Sequence, residues 1–182
     1  MKAFGVDPGT SHSGAALVDL SGPRPYLLEY GWLPNADVRD WIAEVTCDVI
    51  GIETPDEVHG RGDMTKAAIF GLGTNLTKLG KIATDMARDA EARVIPTYRF
   101  TARQWRRQVP RCKGGVGDKA VASWLRVYLD GLPKRTKNHE RDAMGTALHA
   151  ANLLRQNRMV AVGQRNAAAE TLLAACGWAV RT

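Results

Sequence analysis

Four residues that lie far apart in the sequence have side chains suited to binding a metal ion: Asp7, Glu53, His139 and Asp142. If the fold brings them together, three carboxylates meet one imidazole, and a divalent cation relieves the repulsion among the carboxylates. Oxygen-rich sites with one imidazole suit Mg²⁺ or Mn²⁺ better than zinc. Two such ions, about 3.5–4 Å apart, activate a water and stabilise the leaving oxygen when a phosphodiester is hydrolysed. The residue types therefore indicate metal-dependent hydrolysis, in which His139 either ligates a metal or positions the water.

Two of the carboxylates end predicted strands. Asp7 ends the hydrophobic run 2–7, and Glu53 ends the run 48–53, which lacks polar alternation and is typical of a buried central strand. If these strands are neighbours in one sheet, both carboxylates emerge at the same edge. The simpler alternatives are that Asp7 only accepts backbone hydrogen bonds within a turn and that Glu53 is an exposed strand end.

The other two residues open the last long predicted helix. His139 and Asp142 are three positions apart, so they share one helical face. Small apolar residues follow on the same helix and suit close packing against a sheet: Ala143, Ala147 and Ala151. That packing would bring both side chains to the carboxylate edge. Alternatively, His139 is an ordinary surface residue and Asp142 only complements the helix dipole.

Hydrophobic periodicity predicts an α/β fold. Strands are predicted at 2–7, 14–19, 26–33, 48–53 and 92–96, and helices at 36–46, 65–90, 101–109, from 118 onward, at 139–156 and at 165–176. Glycines predict a break or a very close contact near residues 71–74, and a break at Gly163. Hairpins join the first three strands and helical crossovers join the later ones, which predicts a mixed five-stranded sheet flanked by helices on both faces.

Composition narrows the class of protein. The chain has 182 residues, enough for one domain with a sizeable core, and no run approaches the roughly 20 apolar residues of a membrane helix. The N-terminus begins a strand and lacks the form of a signal peptide, so we expect a cytoplasmic protein. Cys47, Cys112 and Cys176 form neither a zinc pattern nor an even-numbered disulfide framework, which predicts reduced thiols.

Positive charge is concentrated in one segment. The whole chain carries +6, but residues 93–142 contain 13 Lys and Arg against 4 Asp and Glu, so this segment carries +9 and the remainder −3. Such a one-sided excess favours nucleic acid as the partner. The candidate nucleic-acid-binding residues are Arg103, Arg106, Arg107, Arg111, Lys113, Lys119, Lys134, Arg135 and Lys137. Trp105 lies among them, and we expect it to pack into the core.

The motifs that contain the four metal-binding candidates resemble those of the RuvC-type Holliday junction resolvases, within the ribonuclease H-like superfamily. The matching pieces are Gly5-Val6-Asp7-Pro8-Gly9 followed by Gly14-Ala15-Ala16-Leu17-Val18-Asp19, then Ile50-Gly51-Ile52-Glu53, Gly115-Val116-Gly117-Asp118-Lys119 and His139-Glu140-Arg141-Asp142-Ala143. They run in order through residues 2–153, and the compact form of the chain resembles a phage-type member. The resemblance implies a ribonuclease H-like nuclease domain over 1–156 and the cytoplasm of a bacterium or of a phage-infected host. Residues 157–182 fall outside the match, and the helix predicted at 165–176 suggests a C-terminal helical extension there.

The resemblance also implies an activity and a set of site residues. It implies a homodimeric endodeoxyribonuclease that cuts two strands of a four-way DNA junction symmetrically and uses Mg²⁺ or Mn²⁺. Asp7, Glu53, His139 and Asp142 would be the metal-binding catalytic set, and Lys119 would be a basic catalytic residue near the scissile phosphate. In this family an aromatic residue in the loop after the second carboxylate is tied to junction contact; that loop differs here, and Phe70 is a candidate at an unconvincing spacing.

Three other functions remain as alternatives. A ribonuclease H-like nuclease could act on other branched DNA or on structured RNA such as ribosomal RNA precursors. The turn Asp7-Pro8-Gly9-Thr10 also resembles the first phosphate loop of actin-like ATPases and sugar kinases, but those proteins need two lobes and this chain has room for one. A non-catalytic junction-binding protein would keep the basic segment and lack the metal-binding set.

Overall fold

The computed structural model describes the backbone of residues 1–55, 66–110 and 117–175, and the side chains of residues 1–55, 74–110 and 117–160. The strands of this part are β1 (Lys2–Asp7), β2 (His12–Asp19), β3 (Tyr26–Pro34), β4 (Val49–Thr54) and β5 (Thr97–Thr101). Its helices are α1 (Asn35–Glu44), α2 (Lys66–Glu91), α3 (Ala102–Trp105), α4 (Asp118–Tyr128) and α5 (Asn138–Ala175), with a 3₁₀ turn at Arg106–Gln108.

The five strands form one mixed sheet in the order β3-β2-β1-β4-β5. The pairs β1–β2 and β2–β3 are antiparallel, whereas β1–β4 and β4–β5 are parallel. Hairpin-length connections allow the first pairings, and the helices α1 and α2 lie in the crossovers that the parallel pairings require. This topology confirms the predicted α/β fold with a mixed five-stranded sheet.

One face of the sheet is covered by α1 and α2. Large side chains of three strands point to this face and pack with residues of both helices in one buried cluster: Phe4, Val6, Leu17, Ile50 and Ile52 from the strands, and Val38, Ile42, Ala83, Met86, Ala87 and Ala90 from the helices. Each fully buried aliphatic side chain contributes roughly 1.5–3 kcal/mol relative to an exposed one. This cluster is the hydrophobic core of the sheet.

The opposite face carries glycines and is covered by α5. A Cβ atom on Gly5 would overlap the backbone of Ala143, and a Cβ on Gly14 would overlap the carbonyl of His139. A Cβ on Gly51 would lie only 2.8 Å from the carbonyl oxygen of Thr146. The helix backbone therefore rests directly on the strands, as the small residues of the predicted helix suggested.

Three element boundaries differ from the sequence predictions. The fifth strand is Thr97–Thr101, and not 92–96, because α2 ends at Glu91 and a turn follows in which Val94 has φ 60° and is 91% exposed. Of the two alternatives predicted for residues 71–74, the break is wrong, since α2 is one helix, and the close contact stays a prediction. The expected break at Gly163 is also wrong, since α5 is continuous to Ala175.

Backbone contacts divide the chain into two units, Met1–Ala151 and Asn152–Thr182. The first unit holds the whole sheet and all four metal-binding candidates. The predicted domain boundary at residue 156 stays a prediction. In the described part of the chain, no helix is both long enough and apolar enough to cross a membrane.

Candidate active site

Strands β1 and β4 place Asp7 and Glu53 side by side. They are parallel neighbours in which Val6 pairs with Ile52, so the next residue on each strand emerges at the same edge. Side chains alternate between the faces of a sheet, so Asp7 shares a face with Gly5, and Glu53 shares a face with Gly51. This is the face covered by α5. The neighbourhood predicted for the two strands is therefore present.

The first turn of α5 brings His139 to Asp7. Gly14 pairs with Asp7 across β1 and β2, and its missing side chain leaves room for the His139 backbone. The Nδ1 of His139 lies 2.5 Å from Oδ2 of Asp7, which is 6% exposed. This hydrogen bond raises the pKa of His139, while partial burial acts to lower it. The two residues, 132 positions apart, thus form one hydrogen-bonded pair.

Glu53 and Asp142 are held by two consecutive residues. The Trp105 indole N–H donates to Oε2 of Glu53 at 2.6 Å, and the Arg106 guanidinium donates to Oδ2 of Asp142 at 2.9 Å. Trp105 is fully buried, as predicted, and its ring lies where a side chain on Gly145 of α5 would otherwise be.

Sequence reasoning missed both of these contacts. It placed Trp105 in the core without a polar partner, and it placed Arg106 only at the phosphate-binding surface. The available signal was the position of both residues in the sequence, shortly after the end of β5. The strand β5 runs parallel to β4, so the chain leaves it at the same sheet edge where Glu53 lies.

The carboxylates at this edge influence one another electrostatically. Burial, reinforced by the negative charge of Asp7, raises the pKa of Glu53 to about 8, against the effect of the Trp105 hydrogen bond. Burial also raises the pKa of Asp142 to about 6; the Arg106 charge acts to lower this pKa, and the Asp7 charge adds to the rise. The Asp7 charge therefore disfavours the ionised forms of Glu53 and Asp142, and an added cation would favour them.

The donor set fits a hard divalent cation in its chemistry, because it combines three carboxylates with one imidazole. Within the described side chains, however, no three His, Cys, Asp or Glu residues are arranged so that they could hold a metal ion as they stand. Oxygens of Asp7, Glu53 and Asp142 are bonded to His139, Trp105 and Arg106, respectively. An ion bound by these carboxylates would lie close to their present hydrogen-bond donors.

The basic candidates have different surroundings. Lys119 is exposed in the first turn of α4, and Lys137 directly precedes α5 with its ammonium 3.9 Å from the centre of the Trp32 ring. The other described candidates besides Arg106 are exposed: Arg103, Arg107, Lys134 and Arg135. Arg111 and Lys113 lie outside the described residues, and so does the side chain of Phe70.

A separate residue of α5 fixes the start of the helix. Glu140 is buried, and its Oε2 accepts a hydrogen bond from the backbone N–H of Lys137 at 2.6 Å. This contact satisfies one of the unpaired donors at a helix N-terminus. Of the two acidic residues in the segment 139–142, Asp142 therefore belongs to the site and Glu140 to the helix cap.

Known proteins share this architecture. No protein-family model matches the sequence. The crossover junction endodeoxyribonuclease RuvC of Salinibacter ruber (strain DSM 13855 / M31) is 26% identical over 159 residues, which cover 84% of this chain and 86% of the relative. The structure of T. thermophilus RuvC in complex with a Holliday junction substrate superposes with a TM-score of 0.62 at 18% identity, covering 86% of this chain and 96% of that one.

The chain has a RuvC-like fold. A second structure of Thermus thermophilus RuvC agrees, with a TM-score of 0.54, 18% identity and coverage of 86% and 97%. The resemblance predicted from the motifs is thereby confirmed, and the RuvC-like fold accounts for the sheet order described above. The matched portion extends over most of the chain.

Proposed function

We propose that this chain is a metal-dependent endonuclease that hydrolyses phosphodiester bonds at four-way DNA junctions. One observation carries the proposal: a RuvC-like fold brings the Asp7–His139 pair, Glu53 and Asp142 to one sheet edge. The relatives add support, since one is named a crossover junction endodeoxyribonuclease and another was solved with a Holliday junction substrate.

The metal would be held by the carboxylates of Asp7, Glu53 and Asp142, with His139 as a further ligand. Mg²⁺ or Mn²⁺, two per site, would activate the attacking water and stabilise the leaving oxygen when bound. The Asp7 carboxylate fixes the orientation of the His139 ring through Nδ1, so Nε2 is the atom left to ligate a metal or to accept a proton from water. The Trp105 indole restrains Glu53 in the same way.

The basic residues would bind the phosphates of the junction. Lys119 would lie near the scissile phosphate, and Lys137 is held in place by the Trp32 ring. The other members of this set are Arg103, Arg106, Arg107, Arg111, Lys113, Lys134 and Arg135. Binding through phosphates releases counterions, so affinity should fall steeply as salt rises. Symmetric cutting of two strands would require a homodimer.

A cleavage assay tests this proposal. Purified protein is incubated with a four-way junction, linear duplex, single-stranded DNA and an RNA–DNA hybrid, each with Mg²⁺, Mn²⁺ or EDTA. We expect paired cuts only in the junction, and only when Mg²⁺ or Mn²⁺ is present. Asp7→Asn should abolish cutting and keep junction binding, whereas Asp37→Asn, an exposed carboxylate on α1, should change neither.

Two results would redirect the proposal. Cutting of the hybrid or of structured RNA in preference to the junction would favour the ribonuclease H-like alternative. Junction binding without any cutting in either metal would favour a non-catalytic binding protein.

A further inference from the structure

Arg106 lies between two carboxylates that belong to different elements. One terminal nitrogen of its guanidinium is 2.9 Å from Oδ2 of Asp142 and 3.5 Å from Oδ1 of Asp118. The Asp142 side chain is 14% exposed and that of Asp118 is 49% exposed. Arg106 therefore bridges a buried acceptor at the active site and a more exposed acceptor outside it.

The second acceptor is held in place by contacts of its own. Asp118 is the first residue of α4, where the helix dipole favours a negative charge. Its other oxygen, Oδ2, accepts a hydrogen bond at 2.6 Å from Asn138, the first residue of α5. The carboxylate is thus fixed in place independently of Arg106.

The first acceptor is shared with the proposed metal. An ion that uses Oδ2 of Asp142 would bind the same oxygen to which the Arg106 guanidinium now donates. Two cations cannot both bind this oxygen closely without strong repulsion. Binding of a metal at Asp142 therefore competes with the Arg106 bond, whereas the bond to Asp118 does not conflict with it.

We propose that Arg106 is a metal-displaced counter-cation: it neutralises Asp142 in the metal-free protein and is retained by Asp118 when a divalent ion takes its place. Arg106 is then a positioning residue for Asp142. This inference rests on the metal requirement of the proposed function.

The proposal predicts opposite effects on stability and on metal affinity. Removing the guanidinium leaves a largely buried carboxylate without its partner, which destabilises the metal-free protein. It also removes the competitor, so the metal binds more tightly. A purely structural role for Arg106 would weaken both properties together.

The test measures metal binding without DNA. Isothermal titration calorimetry with Mn²⁺ gives the affinity, and thermal unfolding in EDTA and in saturating Mn²⁺ gives the stability of each form. For Arg106→Gln we expect a lower Tm in EDTA, a larger rise in Tm on adding Mn²⁺, and an affinity roughly three- to tenfold tighter than that of the wild type. Arg106→Lys should return the affinity toward the wild-type value, because it restores a competing cation.

Matched variants separate this role from general charge effects. Arg126→Gln removes an exposed guanidinium group from α4 and should leave Mn²⁺ affinity within about twofold of the wild type. Asp118→Asn should weaken Mn²⁺ binding, because it removes the acceptor that keeps Arg106 away from Asp142.

The outcomes distinguish this inference from the proposed function. If wild-type protein binds Mn²⁺ and Arg106→Gln binds it equally or more weakly, the inference is overturned and the proposed function stands. If Asp118→Asn binds Mn²⁺ more tightly, the retaining role of Asp118 is overturned, and this result does not depend on the folding of Arg106→Gln. If the wild type shows neither binding heat nor a change in Tm with Mn²⁺, the metal requirement fails and the inference fails with it.

Discussion

The two faces of the sheet are built in opposite ways. Toward α1 and α2, the central strands present large apolar side chains such as Phe4, Ile50 and Ile52, which fill the space between sheet and helices. Toward α5, the same strands present Gly5 and Gly51, and the helix backbone lies on the strand backbone. The first face stabilises the fold by burying apolar side chains. The second face fixes the distance between α5 and the strands β1 and β4.

This difference between the two faces explains where the candidate catalytic residues lie. Asp7 and Glu53 each follow a glycine of the α5 face by two residues, so their side chains emerge on the closely packed face. His139 and Asp142 open the helix that packs there. Side-chain packing tolerates small rearrangements of volume, whereas direct backbone contact leaves little freedom. The catalytic candidates are therefore held by the less adaptable of the two faces.

The largest effect should follow from adding a side chain to the α5 face. In Gly5→Val, the new atoms would overlap the backbone of Ala143 and force α5 away from the sheet. We expect a loss of about 3 kcal/mol or more in the free energy of unfolding, measured by urea denaturation, or a failure to fold. Gly80→Ala is the matched control, since its new Cβ meets only Pro55 at 4.0 Å; it should be neutral or stabilise the protein by up to about 1 kcal/mol. A well-folded Gly5→Val protein would contradict the contrast between the faces.

A smaller and different effect should follow from a change on the α1–α2 face. Ile50→Ala removes a fully buried side chain and should lower the free energy of unfolding by about 2–5 kcal/mol. Under conditions in which the variant is folded, its Mn²⁺ affinity should match that of the wild type, because Ile50 points away from α5. Calorimetric titration checks this. A clear loss of metal affinity would show that the two faces are not independent.

A pH dependence should also act through the α5 face. In the metal-free protein the pKa of Glu53 is raised from 4.5 to about 8. The folded state therefore binds more protons than the unfolded state between these values, and this contribution to stability is lost as the pH rises through that window. We expect the free energy of unfolding in EDTA to fall across it, and a Glu53→Gln variant to fall less.

The affinity for metal should have the opposite pH dependence. Ionised carboxylates bind the cation, so Mn²⁺ affinity should increase as pH rises from about 6, the pKa of Asp142, to about 8, the pKa of Glu53. Calorimetry in two buffers of different ionisation enthalpy measures the protons released. Affinity that is independent of pH over this interval would argue against ligation by these two residues.

The sequence allowed the prediction of the mixed sheet with helices on both faces and of the catalytic candidates, for physical reasons. Continuous apolar runs identify buried strands and their ends, so Asp7 and Glu53 could be located; a three-residue spacing puts His139 and Asp142 on one helical face. The small residues of α5 indicated close packing. Which strand residues the helix touches depends on register, so the roles of Gly5, Gly14 and Gly51 could not be predicted.

The segments before and after β5 show where sequence patterns fail. The apolar residues Val94 and Ile95 suggested a strand, but Val94 lies in an exposed turn and the strand begins at Thr97. The hydrogen bonds of Trp105 and Arg106 depend on where this strand ends relative to β4. They are long-range contacts that no local sequence pattern indicates. The hydrogen bonds to Glu53 and Asp142 are therefore the part of the site that sequence reasoning missed.

The central claim is that four residues from β1, β4 and α5 form one metal-dependent nuclease site. It is tested most directly by cleavage of a synthetic four-way DNA junction by the wild type, Asp7→Asn, Glu53→Gln and Asp142→Asn in Mg²⁺. We predict paired cuts by the wild type, none in EDTA, and a loss of at least about 100-fold in rate for each variant with junction binding retained. Cutting that persists in EDTA, or in all three variants, would contradict the account.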